Sequence, residues 1–426
     1  MNGILRRCQW LFLATLVLGL TLPPQLRAGP AGEIAVGAVY PLSGALASTA
    51  KLSRDGIEFA VDIINTRHDL ALPLARSEGL PNLGGAKIRV VFGDTQGSPE
   101  IGRAETERLI TGEKVVAVVG AYQSAVTATA SMAAERLNVP FLNPDSTSPT
   151  LIQRGFEWFF RATPDDDIMS KNFFDFLKDL ETKKGVKVRT VALVCENTLW
   201  GVDVCKFERK YAKDYGYEVV AEMLYPARST DLSSEVQRLK AARPDVVFMA
   251  SYISDAILYT QTMQKLDFNT QAILAMDAGH VDPAFLKTVG RSGNYIFSRE
   301  VFSADLGQRK SLVRVVNEMF KKRTGYDLEG TSARAFTAMF VLADAINRAA
   351  SAEPAAIRKA LRETYLSSDK IIMPWGGVRF DPATGQNVLG RGIIVQIQDL
   401  KYWTVWPWHL ASRDVIWPMP AWRQRR

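Results

Sequence analysis

The sequence predicts an α/β protein made of two halves, each a mainly parallel sheet flanked by helices. Three observations lead there. Short runs rich in Val, Ile and Phe alternate with segments whose apolar residues recur at helical spacing, the pattern of strand–helix–strand crossovers. The alternation runs from residue 34 to 144, restarts at 168 and continues to 276. The length of 426 residues, with 47% hydrophobic residues, suits two or three domains with a full core.

In the first half, IAVGAVY (34–40) reads as a strand, followed by a helix on which Ile57, Ala60, Val61 and Ile64 share one face. KIRVVFGD (87–94) is a strand and 101–110 a helix; VVAVVG (115–120) is a strand and 124–137 a helix; VPFLNP (139–144) closes the series. In the second half, helix 168–180 precedes strand 188–196, helix 201–215 precedes strand 217–225, and helix 232–242 precedes strand 245–251. Helix 254–265 then leads to AILAM (272–276). A long helix over 332–350 follows, with Phe336, Met339, Leu342, Ala343 and Ile346 as its expected buried stripe. VRFD (378–381), GIIVQIQ (392–398) and LKYWTVWPW (400–408) look like antiparallel strands. Five of the nine tryptophans lie between Trp403 and Trp422, where indoles are expected to pack a tail onto the body.

Residues 1–28 read as a secretory signal peptide. Arg6 and Arg7 precede an apolar run from Trp10 to Leu22, too short to span a bilayer, and the segment ends at Leu26-Arg27-Ala28. Cys8 lies before the apolar run, so a soluble product is expected and not a lipoprotein. Removing this segment takes away three arginines and no acid, leaving a formal charge of +4 where the whole chain has +7. Basic residues are interspersed with acids, without the basic stripe that nucleic acid demands. After cleavage only Cys195 and Cys205 remain, and spacing alone does not decide whether they pair. His68, His280 and His409 are isolated, which argues against a zinc site or a histidine-based catalytic set. No G-x-S-x-G, P-loop or H-E-x-x-H motif is present, and no cofactor is implied.

The candidate site lies at strand ends, where open α/β sheets bind ligands. Gly120 ends one strand and Ser124 begins a helix, either as its cap or as part of a docking place for a carboxylate. The next strand ends at Asn143, and Asp145-Ser146-Thr147-Ser148 offers hydroxyls and N–H groups, so the two turns together would cradle an anion. In the second half Trp200, Tyr252 and Asp277 occupy three successive strand-to-helix turns. Two aromatic faces and a carboxylate opposite a donor cradle suit a zwitterion.

The residues YPLSG (40–44), DGIEFAVDIIN (55–65), VVAVVGAYQS (115–124), FLNPDSTSPTL (141–151), TLWG (198–201), LKAARPDVVF (239–248) and MDAG (276–279) resemble those of the branched-chain amino acid binding proteins. These are the periplasmic solute-binding components of ABC importers. The resemblance implies the type I periplasmic-binding fold: two Rossmann-like lobes joined by a three-crossing hinge. It implies a first lobe of residues 33–164 plus 302–375 and a second of 165–301 plus 376–426. Ser124 and Ser146-Thr147, with Asp145 beside them, match the family's carboxylate site. Asp277 falls where the family has an acid for the ammonium group; Trp200 and Tyr252 match its aromatic positions, and Tyr122 lies beside the carboxylate site. Thr49 stands where leucine-type members often carry a bulky aromatic, which implies room for a larger ligand, and Asp166 takes part through the crossing segment. The expected partners are permease subunits in the inner membrane and cytoplasmic ATPase subunits, with a monomer in the periplasm. A ligand-sensing receptor component for an amide, urea or aromatic acid is the alternative, and a secreted enzyme a more distant one.

Overall fold

The computed structural model describes residues 32–425. The expected signal segment at 1–28 and the terminal Arg426 lie outside them. The first sheet is built from β1 (Glu33–Tyr40), β2 (Lys87–Asp94), β3 (Val118–Gly120), β4 (Phe141–Asn143) and β5 (Phe159–Arg161), in the order β2-β1-β3-β4-β5. Every pairing in it is parallel, with Tyr40 opposite Asp94 at the carboxyl end. Its crossovers are α1 (Ala47–Asn65), α2 (Pro99–Thr111) and α3 (Ser124–Arg136). On α1 Ile57, Ala60 and Ile64 are buried as the periodicity requires, with Ile63 added and Val61 only half-buried.

After α4 (Asp166–Lys184) the pattern repeats. The second sheet takes β6 (Thr190–Glu196), β7 (Glu218–Tyr225), β8 (Val246–Ala250), β9 (Ala272–Met276) and β10 (Phe297–Glu300) in the order β7-β6-β8-β9-β10. Its helices are α5 (Leu199–Tyr215), α6 (Ser233–Ala242), α7 (Ile253–Lys265) and α8 (Pro283–Val289). Both sheets thus switch direction beside their first strand, and both put loops at that crevice.

The rest of the chain completes both halves. Helix α9 (Ser311–Thr324) leads to α10 (Gly330–Ala349), then α11 (Pro354–Arg362). The expected stripe on α10 is too narrow: from Gly330 to Ala343 every residue is buried. Helix α10 packs along α1, where Gly56 makes room, since a Cβ there would sit 2.3 Å from the Ser332 carbonyl oxygen. Strands β11 (Tyr365–Ser367) and β12 (Gly377–Arg379) pair antiparallel with each other. Gln386 then bridges to Arg161 of β5, and Phe380 packs on Phe160 at 5.3 Å, so this segment lies against the first sheet. Finally β13 (Ile393–Gln398) and β14 (Lys401–Trp406) extend the second sheet antiparallel from β10. The tryptophan-rich tail packs on that half as expected. The indoles of Trp406 and Trp408 both donate to Asp179 Oδ2 of α4, at 2.8 and 2.9 Å, and Trp422 donates to the Phe268 carbonyl. No described helix is long and apolar enough to cross a membrane.

Candidate functional site

The carboxyl ends of the two sheets face one another across a small, nearly closed cavity of about 20 Å³. Tyr122 and Ser124 reach it from the turn after β3, and Asp145, Ser146 and Thr147 from the turn after β4. Trp200 comes from the first turn of α5, Tyr252 from the turn after β8, and Asp277 and Ala278 from the turn after β9. Arg334, one turn into α10, completes the lining. Of the ten residues expected at the site, eight therefore line one cavity, and two, Thr49 and Asp166, do not.

The aromatic wall spans the cleft. The Trp200 ring lies 4.8 Å from that of Tyr252, which lies 5.9 Å from Tyr122 on the opposite side. The backbone is unusual here too. Tyr122 has φ 77°, Asp277 φ 32° and Ala278 φ 46°, positive values that side-chain-bearing residues seldom adopt. Such strain collects at ligand sites, where surrounding contacts hold it in place.

The expected anion cradle is corrected in three ways. Two of the loop's N–H groups are already taken: Asn143 Oδ1 accepts from the amides of Asp145 and Ser146 at 2.9 and 2.8 Å, because a short polar side chain at a strand end closes the turn on itself. The Ser148 amide reaches Ser124 Oγ at 3.4 Å. Ser124 is not the helix cap, since Gln123 holds that position and Ser124 is the first helical residue. Ser146 Oγ donates to the Tyr122 carbonyl at 2.9 Å and therefore accepts from the Thr127 hydroxyl at 2.6 Å.

The acids differ from expectation as well. Asp277 does not stand unshared: Oδ2 accepts from Arg299 at 2.9 Å and from Arg334 at 3.1 Å, and both guanidiniums are buried. Asp145 is no donor. Its carboxylate accepts from the Tyr40 hydroxyl at 3.0 Å and lies 3.5 Å from Arg334. Burial pushes its carboxyl up to about 6, with Arg334 and Tyr40 pulling the other way. Glu300, beside Arg299 in β10, is pushed up to about 7 by burial against the pull of Arg334. Burial also works against the Arg334 charge, but Asp277, Glu300 and Asp145 outweigh it and hold its pKa above the ordinary value. Asp166, fully buried at the start of α4, has its carboxyl driven well above the usual range by burial.

Thr49 does not open space in the cavity. Its hydroxyl donates to Asp282 Oδ2 at 2.6 Å, joining α1 to the turn before α8. A second tie crosses the cleft where Ser148 Oγ, and Thr150 Oγ1 at 3.0 Å, donate to Asp203 Oδ2 on α5. With Arg334 on Asp277 and Tyr122 on Tyr252, four contacts close the two halves on each other. Cys195 and Cys205 form a disulfide, with Cα atoms 6.1 Å apart. Together with Glu208 they make the tight group of metal-type ligands among the described residues, within 4.8 Å, but there the sulfurs bond each other.

Arg299 and Arg334 escape a reading that looks for charge at strand ends alone. A signal exists nonetheless: the polar Ser298-Arg299-Glu300 follows directly on the apolar Ile296-Phe297, and Arg334 interrupts an apolar helix. Ionised residues are almost never fully buried unless paired.

The model of the periplasmic binding protein family matches residues 33–400. Leu/Ile/Val-binding protein homolog 7 of Brucella abortus is 29% identical over 407 residues, covering 92% of this chain and 96% of that protein. Homolog 8 from the same species is 25% identical over 400 residues, covering 92% and 95%. Among solved structures, a leucine-binding protein from Thermotoga maritima superposes with a TM-score of 0.73 at 19% identity, covering 87% and 97% of the two chains. A branched-chain amino acid transporter substrate-binding protein of Streptococcus pneumoniae, in complex with isoleucine, gives 0.73 at 20% identity, covering 91% and 100%. A solute-binding protein of an ABC transporter from Rhodopseudomonas palustris, in complex with 3,4-dihydroxybenzoic acid, gives 0.72 at 19%, covering 87% and 95%. These likenesses show the fold.

Proposed function

The chain belongs to the periplasmic binding protein family, and from that premise we propose that it is the substrate-binding component of an ABC importer. It captures an amino acid, branched-chain or related and including aromatic ones, between two closing lobes and delivers it to a membrane permease. The observation that carries this reading is a cavity whose two walls come from the carboxyl ends of the parallel strands of two sheets. Relatives named for Leu, Ile and Val, and a structural neighbour holding isoleucine, support the ligand class.

The lobes of this reading are residues 33–164 with 302–389, and 165–301 with 390–425. The last crossing is set after Leu389, and not at 376, because β12 and Gln386 keep the intervening chain against the first sheet. The ligand carboxylate meets the Ser124 and Thr147 hydroxyls and the Arg334 guanidinium. Its side chain packs on Tyr122, Trp200 and Tyr252. An ammonium group has Asp277 to approach, and both arginines hold the same oxygen, Oδ2, of that residue. Hinge closure follows binding only so far as the ligand prefers the closed form. Its partners are permease subunits of the inner membrane with their ATPases, and it acts as a monomer in the periplasm.

Thermal unfolding in the presence of L-leucine, L-isoleucine, L-valine, L-phenylalanine and benzoate tests this. A ligand at 100 times its Kd stabilises the folded chain by about 2.7 kcal/mol. The absence of a shift with all four amino acids refutes the proposed ligand class, and a shift with benzoate alone favours an aromatic acid in its place.

A further inference from the structure

The disulfide encloses the segment that builds the second-lobe wall. Cys195 is the penultimate residue of β6 and Cys205 lies in the second turn of α5. Between them sit three residues with distinct tasks. Glu196 Oε2 accepts the Tyr252 N–H at 3.0 Å and so holds the turn that carries a wall aromatic. Trp200 lines the cavity itself. Asp203 receives the Ser148 and Thr150 hydroxyls from across the cleft. The turn is packed tightly: Thr198 Oγ1 caps the Gly201 amide at 3.2 Å, and a Cβ on Gly201 would fall 2.0 Å from the Glu196 carbonyl oxygen. Both sulfurs are buried, and Glu208 beside them is buried too, with Oε1 lacking a hydrogen-bond partner.

We propose that the Cys195–Cys205 bridge is a positioning element for ligand capture: it fixes Trp200 against the ligand and Asp203 against the opposite lobe. A covalent tie removes conformations in which this ten-residue step opens. The wall aromatic and the closing contact then move as one piece with β6. An open bridge lets α5 swing about its first turn, separating Trp200 from Tyr252 and Asp203 from Ser148. The part concerning the ligand rests on the function proposed above; the restraint on the segment does not.

Amide hydrogen exchange on the full chain tests it in the oxidised protein, in Cys195→Ala/Cys205→Ala, and in folded protein treated with dithiothreitol. Amides of residues 196–204, of Tyr252, and of Ser148 and Thr150 should exchange at least about ten-fold faster without the bridge, while β8 and β9 keep their rates. Unchanged rates in those segments overturn the proposal. A uniform rise across both halves also overturns it, because the bridge would then be a staple of the whole fold. Fluorescence titration with L-leucine and L-phenylalanine forms a second arm, in which opening the bridge should raise Kd about ten-fold through faster release. Failure of both amino acids to bind the oxidised protein counts against the solute reading, while the exchange pattern still decides the role of the bridge.

Discussion

Replacing Asp277 by Asn keeps the shape of the side chain and removes one charge from the centre of the site. Asp277 Oδ2 lies 2.9 Å from Arg299, a residue with no solvent exposure, and Arg299 Nε and Nη1 have no hydrogen-bond partner. At an effective dielectric constant of about 20 that separation corresponds to a gross attraction of about 6 kcal/mol. Desolvation offsets much of it, and leaving one member of a buried pair uncompensated typically costs about 3–5 kcal/mol. Arg334 loses a partner as well, although Asp145 at 3.5 Å retains it within the first half. Urea denaturation of ligand-free Asp277→Asn should therefore show a loss of about 3–5 kcal/mol. The assay is completed by Arg299→Met and the double variant. Removing both charges should cost at least about 2 kcal/mol less than the two single losses together, since each single change strands the other group. Additivity within about 0.5 kcal/mol, or a loss below about 1 kcal/mol for Asp277→Asn, would refute the account of this acid as the counter-ion of two arginines. An affinity measurement on Asp277→Ala alone is ambiguous for the same reason.

Burial lowers the His280 pKa to about 3, and neither ring nitrogen has a partner. Its folded value lies below its unfolded value, so stability is lost as pH falls below about 6.5; wild type should lose about 2 kcal/mol between pH 7.5 and 5 from this group, a loss absent from His280→Leu in urea titrations at the two pH values. Asp203→Asn weakens the tie to Ser148 and Thr150 and should disfavour the closed form by about 1–3 kcal/mol; small-angle scattering that shows no larger radius of gyration would contradict this. Gly56→Ala sets a methyl group 2.3 Å from the Ser332 carbonyl oxygen and should cost about 1–3 kcal/mol in chemical denaturation, whereas a neutral result would mean that α1 and α10 separate freely.

Much of the fold is legible in the sequence because buried parallel strands are short apolar runs. AILAM is bounded to the residue, Ala272–Met276, by the polar groups on either side of it. The turns after such strands follow from the same pattern, which is why Trp200, Tyr252 and Asp277 stand out together. Pairings between distant residues are not legible. Thr49 and Asp282 lie 233 positions apart, and nothing in either neighbourhood announces the other. Arg299 and Arg334 come from the middle of a strand and the body of a helix, away from the turns where ligand groups are expected. Strands β5 and β10 hide for another reason: they end in Arg161 and in Ser298-Arg299-Glu300, so neither reads as an apolar run. The pairing of Cys195 with Cys205 is equally hidden, because a strand end and the following helix can sit near or apart with the same ten-residue interval.

The positive φ angles of Tyr122, Asp277 and Ala278 make the cleft costly backbone to fold, at about 1–3 kcal/mol for each such residue. Glycine at any of the three would relieve that load, so a purely stabilising selection would drift toward it. Their retention of side chains means that directed evolution for heat resistance would erode these turns first. A hardened variant with glycine at 122 or 278 should be checked for capture before it is trusted as a scaffold.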